Sequence, residues 1–315
     1  MMRAFETGAA AAPSTLGSAT APASVPSVAV ADVAVVEPLA RPAQPEAAPP
    51  QGRAIVITSG KGGVGKTTTT ANLGTALAAR GARVVLVDAD VGLRNLDIVL
   101  GLESRVRFHL LDVLEEKATL DEALVRDKRS ESLSLLAAAQ TREKEDVVTA
   151  QMTALILELR RRFDYVLIDC PAGIEKGFKN AVAGAQHAII VCTPEVSAVR
   201  DADRVVGLLP NDWRPELIVN RVRPQLVKKG KMLSVDDVND ILRLPLLGVI
   251  AEEPGVIIAT NKGEPLALDA TSETGAAYRA MAAKLAGDAA APDPRPHDGS
   301  AGGWFAKLGA LLGGR

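Results

Sequence analysis

From Arg53 onward, short aliphatic runs alternate with longer stretches that have a helical rhythm. RAIVIT (53–58), ARVVLVD (82–88), YVLID (165–169), HAIIVCT (187–193), ELIVN (216–220) and LLGVI (246–250) are apolar almost throughout. Strands buried on both faces read this way, whereas half-exposed strands alternate. LSLLAA (133–138) adds a candidate strand. In VVTAQMTALILELRRRF, Val148, Met152, Leu155, Ile156, Leu159 and Phe163 recur at steps of three and four, with charges opposite, which predicts an amphipathic helix. Strands alternating with helices imply crossover connections, and so an α/β fold: a doubly wound, mostly parallel sheet flanked by helices.

The ends of the chain break this pattern. Residues 1–52 hold 15 Ala and 8 Pro without any periodicity, which predicts a disordered extension. Its Ala and Ser content fits an organelle transit peptide, while Glu6, Asp32, Glu37 and Glu46 fit a plain extension better; both readings stand. Residues 53–286 form the predicted domain, and 287–303 read as a polar linker. Residues 304–315 carry Trp304, Phe305, Leu308, Leu311 and Leu312, which fall on one arc of a helix, with Lys307 off it. Such a segment is too short to span a bilayer but suits its interface, with the rings at headgroup depth and the cation toward anionic lipid. One foot of this size binds weakly, so two joined in a dimer would gain by avidity.

Composition narrows the classes. Apolar residues make up 47% and aromatics only 3%, a bias that suits sheet covered by helix. The net charge of −2 gives no global basic field, so nucleic acid is not implied as a specific partner. Two cysteines, Cys170 and Cys192, and three scattered histidines offer no metal or disulfide framework.

The chemistry concentrates in GKGGVGKT (60–67), which follows a predicted strand and opens a predicted helix. Gly60, Gly62, Gly63 and Gly65, with Val64 between them, let backbone N–H groups converge on phosphate oxygens, and the helix adds its positive end. Lys66 would reach the β- and γ-phosphates, and the Thr67 hydroxyl would bind Mg²⁺, with Thr68 completing the loop. Asp88 ends the second strand and Asp90 follows on the same side, placed to hold magnesium water or orient an attacking one. Asp169 ends another strand and suits an outer-sphere Mg²⁺ role, with Gly173 beyond it offering its backbone to a γ-phosphate.

One lysine suffices to grip a phosphate within a subunit, yet Lys61 stands early in the same loop. The string KGGVGKT resembles the deviant Walker A motif of the MinD/ParA ATPase superfamily, which implies the P-loop NTPase fold. With GLRNLD, ALVRDKR, DCPAGIE, PEVSAVRDADR and NKGEPL, it resembles the septum-site-determining MinD family, cyanobacterial and plastid members above all. The resemblance implies an ATP-bound homodimer in which Lys61 crosses to the partner's phosphates. It also implies that Asp90 orients water, Asp169 serves as the second switch, and Asn220 and Arg221, after the fifth strand, lie near adenine. Asp201 falls on the dimer and regulator face. The implied cofactors are ATP and Mg²⁺; the implied partners are a MinE-type regulator, a MinC-type inhibitor or other division protein, and an anionic membrane. The implied location is the stromal face of the plastid inner envelope, or alternatively a bacterial cytoplasm and the inner face of the cell membrane.

NKGE (261–264) resembles the guanine-reading N-K-x-D motif, but it ends in Glu and follows a helical stretch, so ATP is favoured over GTP. RPQLVKKGK (223–231) is a modest basic cluster, the only support for the alternative of a ParA-type partition ATPase that binds DNA non-specifically. An inactive scaffold is the third class.

Overall fold

A computed structural model describes residues 52–140, 149–174, 176–288 and 290–291. The expected extension up to residue 51, most of the linker, the membrane foot and Val148 lie outside the described residues. Eight strands form one sheet: β1 (Arg53–Thr58), β2 (Val84–Asp88), β3 (Leu124–Arg126), β4 (Leu133–Leu136), β5 (Tyr165–Asp169), β6 (His187–Cys192), β7 (Glu216–Val222) and β8 (Leu246–Ala251). Their spatial order is β3-β4-β2-β5-β1-β6-β7-β8, and every pairing is parallel except the edge pair β3–β4.

Each aliphatic run feeds two cores because successive residues face opposite sides of the sheet. Ala54 and Val56 pack on one face with Val85, Ile168 and Val219, while Ile55 and Ile57 pack on the other with Leu86, Leu167 and Ile218. The helices that matter for the site are α1 (Lys66–Ala79), α2 (Leu96–Leu100), α7 (Val196–Val206), α10 (Gly255–Lys262) and α11 (Glu273–Leu285). The remainder are α3 (Leu110–Leu114), α4 (Leu120–Ala123), α5 (Thr149–Arg162), α6 (Lys176–Val182), α8 (Pro224–Lys228) and α9 (Val235–Leu242). In α5 the predicted stripe of Met152, Leu155, Ile156 and Leu159 is buried. Helix α1 is buried on nearly all sides, held between the sheet and α11, and Thr69 Oγ1 meets the Tyr278 hydroxyl at 3.1 Å.

Two details differ from the sequence pattern. The run ELIVN stops at Asn220, but the strand, β7, continues through Arg221 and Val222, so Arg221 lies inside it and not after it. Exposed Arg221, at φ 57, interrupts the apolar run, and the pairing with β8 slips between Val219 and Val222 before resuming. The edge strand β3 went unpredicted, because three residues beside the charged RDKR segment are too few to show a period. As expected, NKGE ends a helix: Asn261 and Lys262 close α10 and Gly263 is its left-handed cap.

Candidate functional site

The site lies at the carboxyl ends of β1, β2 and β5, where a parallel sheet opens toward ligands. The chain leaves β1 at Thr58 and turns through residues 59–65 into α1, with Gly63 at φ 74 and Gly65 at φ 101. The second of these values is costly for any residue with a Cβ. A Cβ on Gly65 would also come within 2.3 Å of Asn220 Nδ2. That amide donates to the Val64 carbonyl at 2.7 Å, so β7 braces the loop from beneath. Gly60 is equally confined, since a Cβ there would meet the backbone of Asp201 at 2.1 Å. The loop therefore rests against α7 on one side and β7 on another.

The two lysines occupy opposite environments. Lys66 is buried and its Nζ donates to Ser59 Oγ at 3.2 Å, curling back over the loop it opens. Lys61 keeps 46% of its side chain exposed and points outward, with Nζ 3.4 Å from Glu195 Oε2 and donating to Ser197 Oγ at 3.4 Å. Half-buried Asp201 lies on the same helix as Ser197, so its predicted face and Lys61 fall on one side of the molecule.

Three acids gather at the strand ends. Asp88 and Asp169 are register partners on β2 and β5, both buried. Asp88 accepts from the Asp90 N–H at 3.0 Å through one oxygen and from the Leu96 N–H at 3.2 Å through the other, tying the loop and the start of α2 to itself. Burial, reinforced by the Asp169 charge, pushes the Asp88 carboxyl well above the usual range. Burial also raises Asp169, and hydrogen bonding by Thr67 and the charge of Lys66 oppose the rise. Thr70 Oγ1 donates to Asp169 Oδ1 at 3.3 Å. Two buried carboxyls beside a hydroxyl make an all-oxygen set suited to a hard dication, whose charge would offset the cost of ionising them. Thr67, Asp88 and Asp169 are thus the side chains that could hold Mg²⁺ here.

Half-buried Asp90 sits above this pair and contributes charge to both acids. Gly173, at φ 92, lies in the loop after β5, and a Cβ on Gly62 would come 3.7 Å from Ala172 Cβ, so this second loop faces the first. Thr68 is half-buried on the first turn of α1, and Arg221 is exposed beside Asn220. Of the predicted site residues, only those of the foot lie outside the described residues. Sequence reasoning missed Ser59 and Thr70, the partners of Lys66 and Asp169. The run of four threonines from Thr67 held a signal for the second, since a helix turn separates Thr70 from Lys66 and Thr70 Oγ1 donates to the Lys66 carbonyl.

Buried Cys170 follows Asp169, and burial pushes its thiol up to about 12; Cys192, also buried, is likewise pushed up to about 12. Among the described residues no cluster of His, Cys, Asp or Glu could hold a metal through those side chains alone.

A glycine cradle at a helix start, a buried lysine over it and paired acids at adjacent strand ends define a P-loop nucleotide-binding protein. Residues 55–266 match the CobQ/CobB/MinD/ParA nucleotide binding domain model. Over 238 residues the chain is 56% identical to the septum site-determining protein MinD of Synechocystis, covering 75% of this chain and 90% of that protein. Among solved structures, the MinC:MinD cell division protein complex of Aquifex aeolicus matches with a TM-score of 0.72 at 47% identity, covering 79% of this chain and 100% of that one. The septum site-determining MinD of Pyrococcus horikoshii, complexed with Mg-ADP, matches with a TM-score of 0.67 at 32% identity, covering 74% and 96%. The chain belongs to the MinD family of septum site-determining proteins within the CobQ/CobB/MinD/ParA nucleotide-binding group.

Proposed function

We propose that the chain is an ATPase that dimerises on ATP, settles on an anionic membrane and leaves it after hydrolysis, so positioning a division site. The observation that carries this reading is the contrast between the two loop lysines: Lys66 is buried over its own loop, while Lys61 projects from the surface where a second subunit would meet it.

In this reading the loop amides from Gly60 to Thr68 and the Lys66 ammonium hold the triphosphate. Thr67 ligates Mg²⁺ directly, and Asp88 and Asp169 hold it through water. The ion these residues would hold would supply positive charge to offset that of the phosphates. Asp90 holds the attacking water, the loop at Gly173 meets the γ-phosphate, and Asn220 and Arg221 flank the base. Water oxygen bonds to the γ-phosphorus, the bond to the β-phosphate oxygen breaks, and ADP and phosphate form. Lys61 from each protomer offsets phosphate charge in the other, so hydrolysis weakens the dimer.

Residues 304–315 act as the foot, with Trp304, Phe305, Leu308, Leu311 and Leu312 in the interface and Lys307 toward headgroups, after a linker at 287–303. Two feet joined in one dimer bind where one does not. The Mg-ADP complex of the Pyrococcus relative supports the cofactors, and the Aquifex MinC:MinD complex supports a MinC-type partner. A MinE-type regulator acts on the face that includes Asp201. An Ala- and Pro-rich segment, residues 1–52, ahead of a core similar to a cyanobacterial protein fits the stromal face of a plastid inner envelope, with a bacterial cytoplasm and the inner face of the cell membrane as the alternative.

Sedimentation with anionic liposomes tests the reading. Binding should require both ATP and residues 304–315; equal binding with ATP, with ADP and without those residues overturns it.

A further inference from the structure

The segment ALVRDKR (123–129) has no part in the phosphate site, yet its last residue makes more bonds than most in the molecule. Arg129 grips Asp127 with Nε at 3.0 Å and Nη2 at 2.6 Å, and the Asp127 side chain is 2% exposed. The same guanidinium donates through Nη2 to the Leu100 carbonyl at 2.8 Å and through Nη1 to the Gly263 carbonyl at 2.8 Å. Leu100 ends α2 and Gly263 caps α10. Both caps, Gly101 at φ 62 and Gly263 at φ 64, are left-handed, and a Cβ on Gly263 would come within 2.4 Å of Gly101 Cα. Two helix carboxyl ends, each carrying negative dipole charge, therefore abut and share the Arg129 guanidinium, with the exposed Lys128 ammonium near Gly101.

The other end of α2 is tied to the phosphate site, because the Leu96 N–H bonds Asp88. With only five residues, α2 is too short to bend between its two tethers. Its exposed flank carries Ile98, 49% exposed, and α10 carries Ile257 and Ile258, at 67% and 56%.

We propose that Arg129, braced by Asp127, is a positioning residue that makes α2 and α10 move as one body, so that a change at Asp88 reaches the exposed aliphatic face of Ile98, Ile257 and Ile258. Only a planar fork can reach the Asp127 carboxylate and both carbonyls together; a lysine ammonium in the same place cannot hold all three. The inference rests on the nucleotide reading above, since Asp88 must respond to bound Mg²⁺ and nucleotide.

Hydrogen–deuterium exchange on the full chain, with and without saturating Mg-ADP, tests it. The diphosphate keeps the proposed dimer from forming and burying the same helices. In the unaltered protein, Mg-ADP should slow exchange in α2 and at Thr260–Gly263, the last turn of α10, by about fivefold or more, the lower end of ordinary coupling. In Arg129→Lys the α2 response should remain and the α10 response should vanish, while α11 stays protected as a check on folding. Glu131→Ala, at an exposed residue nearby, should behave like the unaltered protein. If Arg129→Lys does not fold, Asp127→Asn should uncouple α10 in the same way. An α10 response that survives these changes, or one absent from the unaltered protein while α2 responds, overturns the proposal. If α2 does not respond and Mg-ADP fails to bind in a separate titration, the nucleotide reading itself falls; if Mg-ADP binds without moving α2, only the proposed coupling falls.

Discussion

Asn220 reaches from strand β7 to the phosphate loop and donates its amide to the Val64 carbonyl at 2.7 Å, a contact between residues 156 positions apart. The loop that would cradle phosphate is thus held by the strand expected to lie near the base. Affinity and loop shape become one property.

Replacing Asn220 with Ala removes the donor and leaves a buried carbonyl unpaired, which costs about 1–3 kcal/mol. Isothermal titration should show weaker nucleotide binding, and thermal unfolding of the ligand-free protein should show a lower midpoint. Unchanged binding would mean that the loop holds its shape without this brace.

Gly65→Ala should be worse. It forces φ 101 on a residue with a Cβ and drives that atom into the Asn220 amide. The left-handed backbone alone costs about 1–2 kcal/mol. Nucleotide binding should be lost while the circular dichroism of the fold persists, because the strain is confined to the loop.

The two lysines should separate in mutagenesis. Lys66→Ala should abolish nucleotide binding, whereas Lys61→Ala should leave binding by the monomer within a fewfold of normal and remove ATP-dependent dimerisation. Its contact with Glu195 is exposed and is worth no more than about 1 kcal/mol, so folding should not notice the change. Analytical ultracentrifugation with ATP and with ADP reads the difference directly.

Asp90→Ala should slow hydrolysis by about 10²–10⁴-fold, the usual contribution of a positioned base or water-orienting group. ATP binding and ATP-dependent dimerisation should persist, and the dimer should be longer-lived. Single-turnover hydrolysis and dimer lifetime together check this; unimpaired turnover would remove Asp90 from the chemistry.

Acidity supplies another test. Asp88 and Asp169 are both raised above their ordinary carboxylate values, chiefly by burial. The folded protein therefore holds protons that the unfolded chain has already released at the same pH. Stability falls as pH rises, beginning near the unfolded carboxylate value of about 3.9 and continuing through the raised values. Asp88→Asn should flatten this fall and raise the melting temperature of the ligand-free protein at pH 8 more than at pH 5. Mg-nucleotide should also flatten it in the unaltered protein by stabilising the ionised pair. A melting temperature equally pH-dependent in both proteins would count against the pair.

Much of this was legible in the residues. Central strands such as β1 and β5 are buried on both faces, so RAIVIT and YVLID stand out as apolar blocks with the observed ends. The phosphate loop declares itself because its glycines, lysine and threonine must be adjacent in sequence to converge on one ligand. What stayed hidden depends on distant contacts. Nothing near Asn220 points to Val64, nothing near Arg129 points to Leu100 or Gly263, and Gly60 gives no sign of Asp201. Exposed Arg221 ended the apolar run early and concealed the last two residues of β7, Arg221 and Val222. Short β3 takes its place from its antiparallel partner β4 rather than from its own three residues.

Cys170 sits next to Asp169 with 1% of its surface exposed, and burial keeps its sulfur protonated at any physiological acidity. Peroxides and electrophiles attack the anionic form of sulfur, and they need access to it. A nucleotide site built this way carries sulfur beside its paired acids yet keeps that sulfur out of reach of oxidants.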